Sequence, residues 1–261
     1  MIKIVVFDMD SVLCRYRIER RLARLAAWSG KSPEAIHAAI WGSGFEDEAE
    51  RGGLSADDYL QGFGERMGYP LSAAQWVEAR RLAMEPDQAV LALARLLRVA
   101  RPVGMFTNNP WLLLRHIADV FPAVPALFGP RAVFSAELGR CKPDPEAFRR
   151  LATRLKCAPD ESLYFDDDAA YVAGAREAGL SAHRVGGAAC LRQGWPRQIS
   201  LFGRCWIIRH QRQCWYRADW AVEAVEARAA AEVTHDALPD LFGPQERDLL
   251  PAPGLRGLIG L

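Results

Sequence analysis

Hydrophobic and polar positions change their spacing several times along the chain. Ile4 to Phe7 is an unbroken apolar run, the pattern of a strand buried on both faces within a helix-covered parallel sheet. From 15 to 85 the spacing is helical and predicts no strand. Ile18, Leu22, Leu25 and Ala26 fall at i, i+4, i+7 and i+8, on one helix face. Ser32-Pro33-Glu34 opens a second helix with a capping hydroxyl, a first-turn proline and an acid near the positive dipole end. A glycine-bearing loop is expected over 41–53. Ser55 opens another helix, with Tyr59, Phe63 and Met67 on one face, and Ser72 with Gln75 fits a capping box that opens a fourth. Pro86 interrupts the helical pattern and marks a hinge or boundary.

After Asp87 helices alternate with strands. The pattern predicts helices over 89–99, 110–120, 144–155 and 169–178, the last stopped by Gly179. It predicts strands over 102–106, 132–134, 162–165 and 181–185. Such alternation implies an α/β fold with an open parallel sheet covered on both faces. Ligands bind such sheets at the carboxyl ends of the strands. Asp8 and Asp10, then Thr107 and Asn108, then Asp166, Asp167 and Asp168 would all arrive at that edge. A core of 1–14 and 86–187 is therefore interrupted by a helical insert over 15–85 and followed by an extension over 188–261.

Composition changes this picture little. The formal net charge of +1 gives no global field toward nucleic acid or an anionic membrane. Asp8 comes too early for a signal peptide, and no apolar run approaches about 18 residues, so a cytoplasmic protein without a membrane partner is expected. The six cysteines, at 14, 141, 157, 190, 205 and 214, form no Cys-x-x-Cys pair. Free thiols in a reducing compartment are the default reading. His37, His116 and His183 have no motif around them and read as surface or core residues.

Charge at the proposed edge is more informative. Two acids after a buried strand could be a solvated strand end. Burying an unpaired carboxylate, however, costs several kcal/mol or shifts its pKa. The edge would collect at least four carboxylates, one hydroxyl and, from the loop after the third core strand, Lys142. Two unit charges about 4 Å apart interact by roughly 4 kcal/mol at an effective dielectric of about 20. Acids in such excess call for a metal, and all-oxygen ligation favours a hard ion such as Mg2+.

The ordered motifs resemble the haloacid dehalogenase (HAD) superfamily across residues 1–187. Phe7-Asp8-Met9-Asp10-Ser11-Val12-Leu13 is similar to its first motif and Met105-Phe106-Thr107-Asn108 to its second. Gly139-Arg140-Cys141-Lys142-Pro143-Asp144 resembles the third motif of the helical-cap subgroup, and Phe165-Asp166-Asp167-Asp168 the fourth. The resemblance implies a Rossmann-like core with an inserted α-helical cap, and a Mg2+-dependent phosphohydrolase acting on a small phosphorylated metabolite, such as a sugar phosphate or a phosphoglycolate-like acid. By the same resemblance Asp8 is the nucleophile, Asp10 the acid and base, and Thr107, Asn108 and Lys142 bind the phosphoryl group. The metal would be held by Asp8, the Asp10 carbonyl and Asp167, with Asp166 as the partner of Lys142 or of a metal-bound water, or as the alternative ligand. Asp168 reads as a helix cap.

Dehalogenases of the superfamily lack the second acid, because halide leaves without a proton. Asp10 therefore favours phosphoryl transfer. Ser11 departs from the family's usual glycine. Trp41, Phe45, Glu46 and Arg51 of the insert either line the substrate pocket or belong to a solvated loop with core aromatics. A phosphomutase, or a non-catalytic binding protein on the same scaffold, are the alternative readings.

The character of the sequence breaks after Gly187. Four of the eight tryptophans lie between Trp195 and Trp220, interleaved with Arg197, Arg204, Arg209, Arg212 and Arg217. That pattern could bind single-stranded nucleic acid or a membrane surface, or be a packed hairpin, a partner-binding extension or a tail outside the fold; nucleic acid is disfavoured. A helix is expected over 220–233 and irregular chain over 238–261. Nothing in the sequence sets an oligomeric state.

Overall fold

The structure is a computed structural model and describes residues 2–185. The expectations for the basic and aromatic stretch, for 220–233 and for 238–261 lie outside the described residues.

The first strand, β1 (Ile4–Phe7), is buried throughout and leads to a two-stranded antiparallel pair, β2 (Cys14–Tyr16) and β3 (Met84–Pro86). Between these lie α1 (Ile18–Ser29), α2 (Pro33–Ile40), α3 (Phe45–Glu50), α4 (Ala56–Met67) and α5 (Ala73–Leu82). Then follow α6 (Gln88–Ala100), β4 (Val103–Thr107), α7 (Trp111–Val120), α8 (Ala123–Phe128), β5 (Ala132–Phe134), α9 (Ser135–Leu138), α10 (Pro145–Arg154), β6 (Ser162–Asp166), α11 (Ala169–Glu177) and β7 (Ser181–Arg184). No single helix among the described residues is long and apolar enough to cross a membrane.

The sheet runs β5-β4-β1-β6-β7, with every neighbouring pair parallel. Phe7 stands level with Met105 of β4 and Phe165 of β6, so Asp8 emerges between the ends of its two neighbours. Strand periodicity sorts the core into two layers. Val5, Phe7, Met105 and Phe165 pack with Leu97, Leu113 and Phe128 from α6, α7 and α8. Ile4, Val6, Phe106 and Tyr164 pack on the opposite face with Phe148, Leu151 and Val172 from α10 and α11. This is the α/β sheet covered on both faces that the alternating pattern predicts.

The predicted helix starts form as expected. Ser32 accepts from the Ala35 amide, Ser55 from the Asp58 amide, and Ser72 and Gln75 form the reciprocal capping box. Two expectations need correction. The stretch 15–85 is not free of strand, because Arg15 and Tyr16 pair with Glu85 and Met84 at its two ends. The loop over 41–53 contains α3. Three-residue strands and a six-residue helix are too short for their period to show.

At the exit from β1 the chain turns sharply, and Ser11 takes φ of 67°. This is the left-handed region, which costs a residue with a Cβ roughly 1–2 kcal/mol. The Leu13 and Cys14 amides both donate to the Met9 carbonyl, at 2.9 and 3.2 Å, and hold the turn in that conformation. Ser11→Gly removes the clash but adds unfolded-state freedom, so a gain of up to about 1 kcal/mol is expected in urea unfolding. A loss of stability would mean that the Ser11 side chain makes a compensating bond.

Candidate active site

Lys142 lies at the centre of the strand-end cluster. Its ammonium group, 3% exposed as a residue, donates to Asp8 Oδ1 at 2.7 Å, to Asp166 Oδ2 at 2.9 Å and to the Tyr164 hydroxyl at 2.9 Å. The Tyr164 hydroxyl also donates to Asp166 Oδ2. Asp8 follows β1, and its amide donates to the Phe165 carbonyl at 2.8 Å. Asp166 ends β6 and is fully buried; its Oδ1 accepts from the Asp168 amide at 2.9 Å. The ends of β1 and β6 and the loop that carries Lys142 thus meet on one ammonium.

The loop that carries Lys142 is held from two sides. The Asn108 side chain donates to the Lys142 carbonyl and accepts from its amide, both at 3.0 Å. Asn108 therefore anchors the lysine loop with its side chain, which leaves its backbone as the part able to face a phosphoryl group. From the other side α11 presses against Pro143. A Cβ on Gly174 would lie 1.9 Å from the Pro143 carbonyl oxygen, so only glycine fits there.

Asp8, Asp166 and Asp167 each offer a carboxylate oxygen, and these atoms lie within 4.8 Å of one another. Burial is the main cause that pushes Asp8 up to about 8; Asp166 adds to this, and Lys142 opposes it. Asp167 is also raised, by burial and then by Asp166. The close contact with Lys142 favours an ionised Asp8, and burial disfavours it; we take the upward direction, because one ammonium is shared between two buried carboxylates. This donor set, all carboxylate oxygens with excess negative charge, fits a hard divalent cation. Asp166 already has both oxygens engaged as acceptors, whereas Asp167 is half-buried and less committed.

Asp10 is held by different partners. Its Oδ2 accepts from Arg80 Nη2 at 2.6 Å and from Asn109 Nδ2 at 3.4 Å. Asn109 also donates to Thr107 Oγ1 at 2.7 Å and accepts from Arg80 at 3.3 Å. Its amide is held by Ser135 Oγ at 3.0 Å, and the same Ser135 hydroxyl donates to the Glu50 carbonyl of α3 at 2.7 Å. Thr107 and Asp10 are therefore linked through Asn109, and α5 supplies a buried cation to the sheet edge.

Residues 2–179 match the sequence profile of the haloacid dehalogenase-like hydrolases, which covers more than half of the chain. The chain belongs to this hydrolase family. The phosphatase MT3486 of Mycobacterium tuberculosis is 28% identical over 77% of this chain and 95% of its own length. A HAD family enzyme of Bacteroides thetaiotaomicron, solved in complex with magnesium and inorganic phosphate, superposes with a TM-score of 0.60 at 22% identity, over 71% of this chain and 94% of that one. A 2-haloacid dehalogenase from Pseudomonas syringae pv. Tomato DC3000 gives a TM-score of 0.52 at 20% identity, over 80% and 91%. At such identities both structures speak for the fold alone.

Within this HAD-like hydrolase the structure brings together Asp8, Lys142, Asp166 and Asp167 as one group, and Asp10, Thr107 and Asn109 as a second beside it. Asp168 caps α11, accepting from the Ala170 amide at 2.6 Å. Phe45 and Glu46 turn into the insert, where the Tyr59 ring stacks on Phe45 and its hydroxyl donates to Glu46, while Arg51 is exposed. Arg80, Asn109 and Tyr164 were not anticipated. Asn109 had a signal, as a second amide between a strand end and a helix-starting proline. Arg80 had none, because it is one of many arginines on the insert helices.

Two expectations follow from this geometry. Gly174→Ala should destabilise the protein by about 1–3 kcal/mol and lower hydrolysis by displacing Lys142; urea unfolding of a variant as stable as the parent would refute the tight packing. The second concerns the cation. Asp8 is raised above its unfolded value, so without metal its contribution to stability is complete at low pH and is lost as pH rises through about 8. A cation held by Asp8 would displace its proton, so with Asp8 in the ligand set the rise in melting temperature on adding Mg2+ should grow from about pH 6 to about pH 8.5. An equal rise at both pH values would remove Asp8 from the ligand set.

Proposed function

We propose that the protein is a Mg2+-dependent phosphatase that cleaves a small phosphorylated metabolite through an aspartyl-phosphate on Asp8. The observation that carries this reading is a pair of acids on one strand exit, each held by a different cation. Asp8 is paired with Lys142 and Asp10 with Arg80. The similarity to a phosphatase, and to an enzyme solved with magnesium and phosphate, supports it.

In this reading an Asp8 oxygen forms a bond to phosphorus in line as the ester P–O bond breaks. Asp10 gives its proton to the leaving oxygen. It then takes one from the water that attacks the aspartyl-phosphate, releasing phosphate and restoring Asp8. Thr107 donates to a phosphoryl oxygen, with backbone amides near Asn108 at the start of α7 beside it. Lys142 offsets charge on Asp8 and on the transferring group. Asp8, the Asp10 carbonyl and Asp167 are the proposed cation ligands, and Asp166 the partner of Lys142. A bound Mg2+ would neutralise charge shared by the carboxylates and the phosphoryl oxygens.

A phosphate ester leaves as an oxyanion that needs a proton, and Asp10, the second acid of the same strand exit, is the group proposed to supply it. Over 15–85 we assign the helical insert as a cap on a core of 1–14 and 86–187. Its contacts support this, since α4 and α5 pack on α7 and Ser135 bonds to Glu50. Cys14, Cys141 and Cys157 are free thiols, which accords with a cytoplasmic setting.

The test is phosphate release from a panel of small phosphomonoesters with and without Mg2+. Release is expected only with the cation, and Asp8→Asn should lower it by at least about a thousand-fold. Normal turnover by that variant would exclude Asp8 as nucleophile, and an inert wild type across the panel would exclude the phosphatase reading.

A further inference from the structure

Glu50 is a carboxylate beside the proposed site that the mechanism does not use. It ends α3 and is half-buried. Its backbone is fixed to the core. The carbonyl accepts from Ser135 Oγ at 2.7 Å, and that hydroxyl takes the Asn109 amide at 3.0 Å. Two residues on, Gly52 has φ of 77°, and a Cβ there would stand 2.4 Å from the Ala136 carbonyl oxygen. The end of α3 is therefore pressed onto α9, one hydrogen-bonded residue away from the Asn109 that contacts Thr107 and Asp10.

The side chain of Glu50 has no such hold. Among the described residues it makes no hydrogen bond and no ion pair, and its oxygens keep contact with solvent. Its charge reaches Asp10 and Arg80 in one group of the site. It also reaches Tyr171 and Cys141, which flank Lys142 in the other. Cys141 precedes the lysine in the chain, and the Tyr171 ring centre lies 4.7 Å from its ammonium. Glu50 therefore stands between the two groups, and unlike the buried Asp8 and Asp166 it is open to water.

Charge decides what this acid can face. Lys142, Arg80 and a divalent cation together match the charges of Asp8, Asp10, Asp166 and Asp167, so Glu50 stands outside that balance. Burial, then Glu46 and Asp47, push it up to about 9; it is an acid short of a cation. Protonated, it offers a phosphate ester no more than a neutral hydrogen bond. Ionised, it repels an ester that is anionic throughout. A positive group on the ester reverses the sign. An ammonium beside Glu50 favours the ionised form, so binding it and losing the Glu50 proton go together.

We propose that Glu50 binds an ammonium group of the substrate, which makes the substrate a small phosphomonoester that carries an amine. This deepens the phosphatase reading and rests on it. The sheet closes the site from below, so the other end of an ester on Asp8 leaves past the groups that border water. Among those groups Glu50 is the acid that neither the proposed metal nor a cation of the chain accounts for. Glu46, four residues earlier on α3, is buried and held by the Tyr59 hydroxyl at 2.6 Å.

The test uses two matched pairs of esters with the full-length protein and Mg2+ at about pH 8, where an alkyl ammonium keeps its charge. They are phosphoethanolamine against 2-hydroxyethyl phosphate, and 3-aminopropyl phosphate against 3-hydroxypropyl phosphate, which differ in reach. Wild type should favour the amine of at least one pair by at least about tenfold in kcat/KM, and Glu50→Gln should bring that ratio to within about threefold of unity. Glu50→Asp, which keeps the charge on a shorter arm, should lower the ratio by at least about threefold without abolishing it. The same esters are titrated by calorimetry into Asp8→Asn and into Asp8→Asn with Glu50→Gln, which reads binding without turnover. A preference for the amine in the first and its loss in the second upholds the assignment even if no ester is hydrolysed, an outcome that would overturn only the phosphatase reading. Hydrolysis without preference for either amine, a preference that Glu50→Gln leaves intact, or no binding of either amine to Asp8→Asn overturns the ammonium site. If Glu50→Gln does not fold, wild type and Glu50→Asp decide it: equal treatment of both pairs by wild type, or an unchanged ratio in Glu50→Asp, refutes the proposal.

Discussion

A buried ammonium shared between two buried carboxylates makes sense only if everything around it is held in register. Lys142 has Asp8 and Asp166 as partners, and removing the lysine would leave two buried carboxylates without a countercharge in a site with almost no access to water. The parallel pairing of β1 with β6 brings the two acids to the same height. Asn108 fixes the lysine's backbone, Gly174 lets α11 pack against the next residue, and Tyr164 offers the ammonium a further acceptor. Each of these features belongs to the fold, yet each is arranged around one charge.

Asp10 follows a different logic. It is two residues from Asp8, but the tight turn at Ser11 sends it toward the insert, where Arg80 and Asn109 receive it. One strand exit thus separates two carboxylates into two electrostatic settings. The first is crowded with acids and raised by burial. The second has a guanidinium in direct contact. The separation also ties the insert to the core, since the cation on Asp10 comes from α5.

Much of this was legible in the sequence where the physics is local. Unbroken apolar runs announced the core strands, capping residues announced the insert helices, and acids at strand ends announced the edge at which they meet. What was not legible depends on distant partners. Tyr164 reads as one more apolar strand residue, and only its contact with Lys142 reveals its hydroxyl as part of the site. Arg80 is separated from Asp10 by 70 positions, and nothing in its own neighbourhood distinguishes it from Arg81. The strands β2 and β3 are short enough that only their pairing defines them.

The strand-end cluster carries a charge imbalance, because Asp8, Asp166 and Asp167 outnumber Lys142. Neutralising it within the chain would be simple: a second lysine at the edge would lower the cost of burial. A chain selected for stability alone would be expected to make such a change. The excess of carboxylate oxygens fits instead the charge of a hard divalent cation. A cation that binds there should stabilise the fold as well as occupy the site, and the stability that the free protein lacks is the free energy available for recognising it.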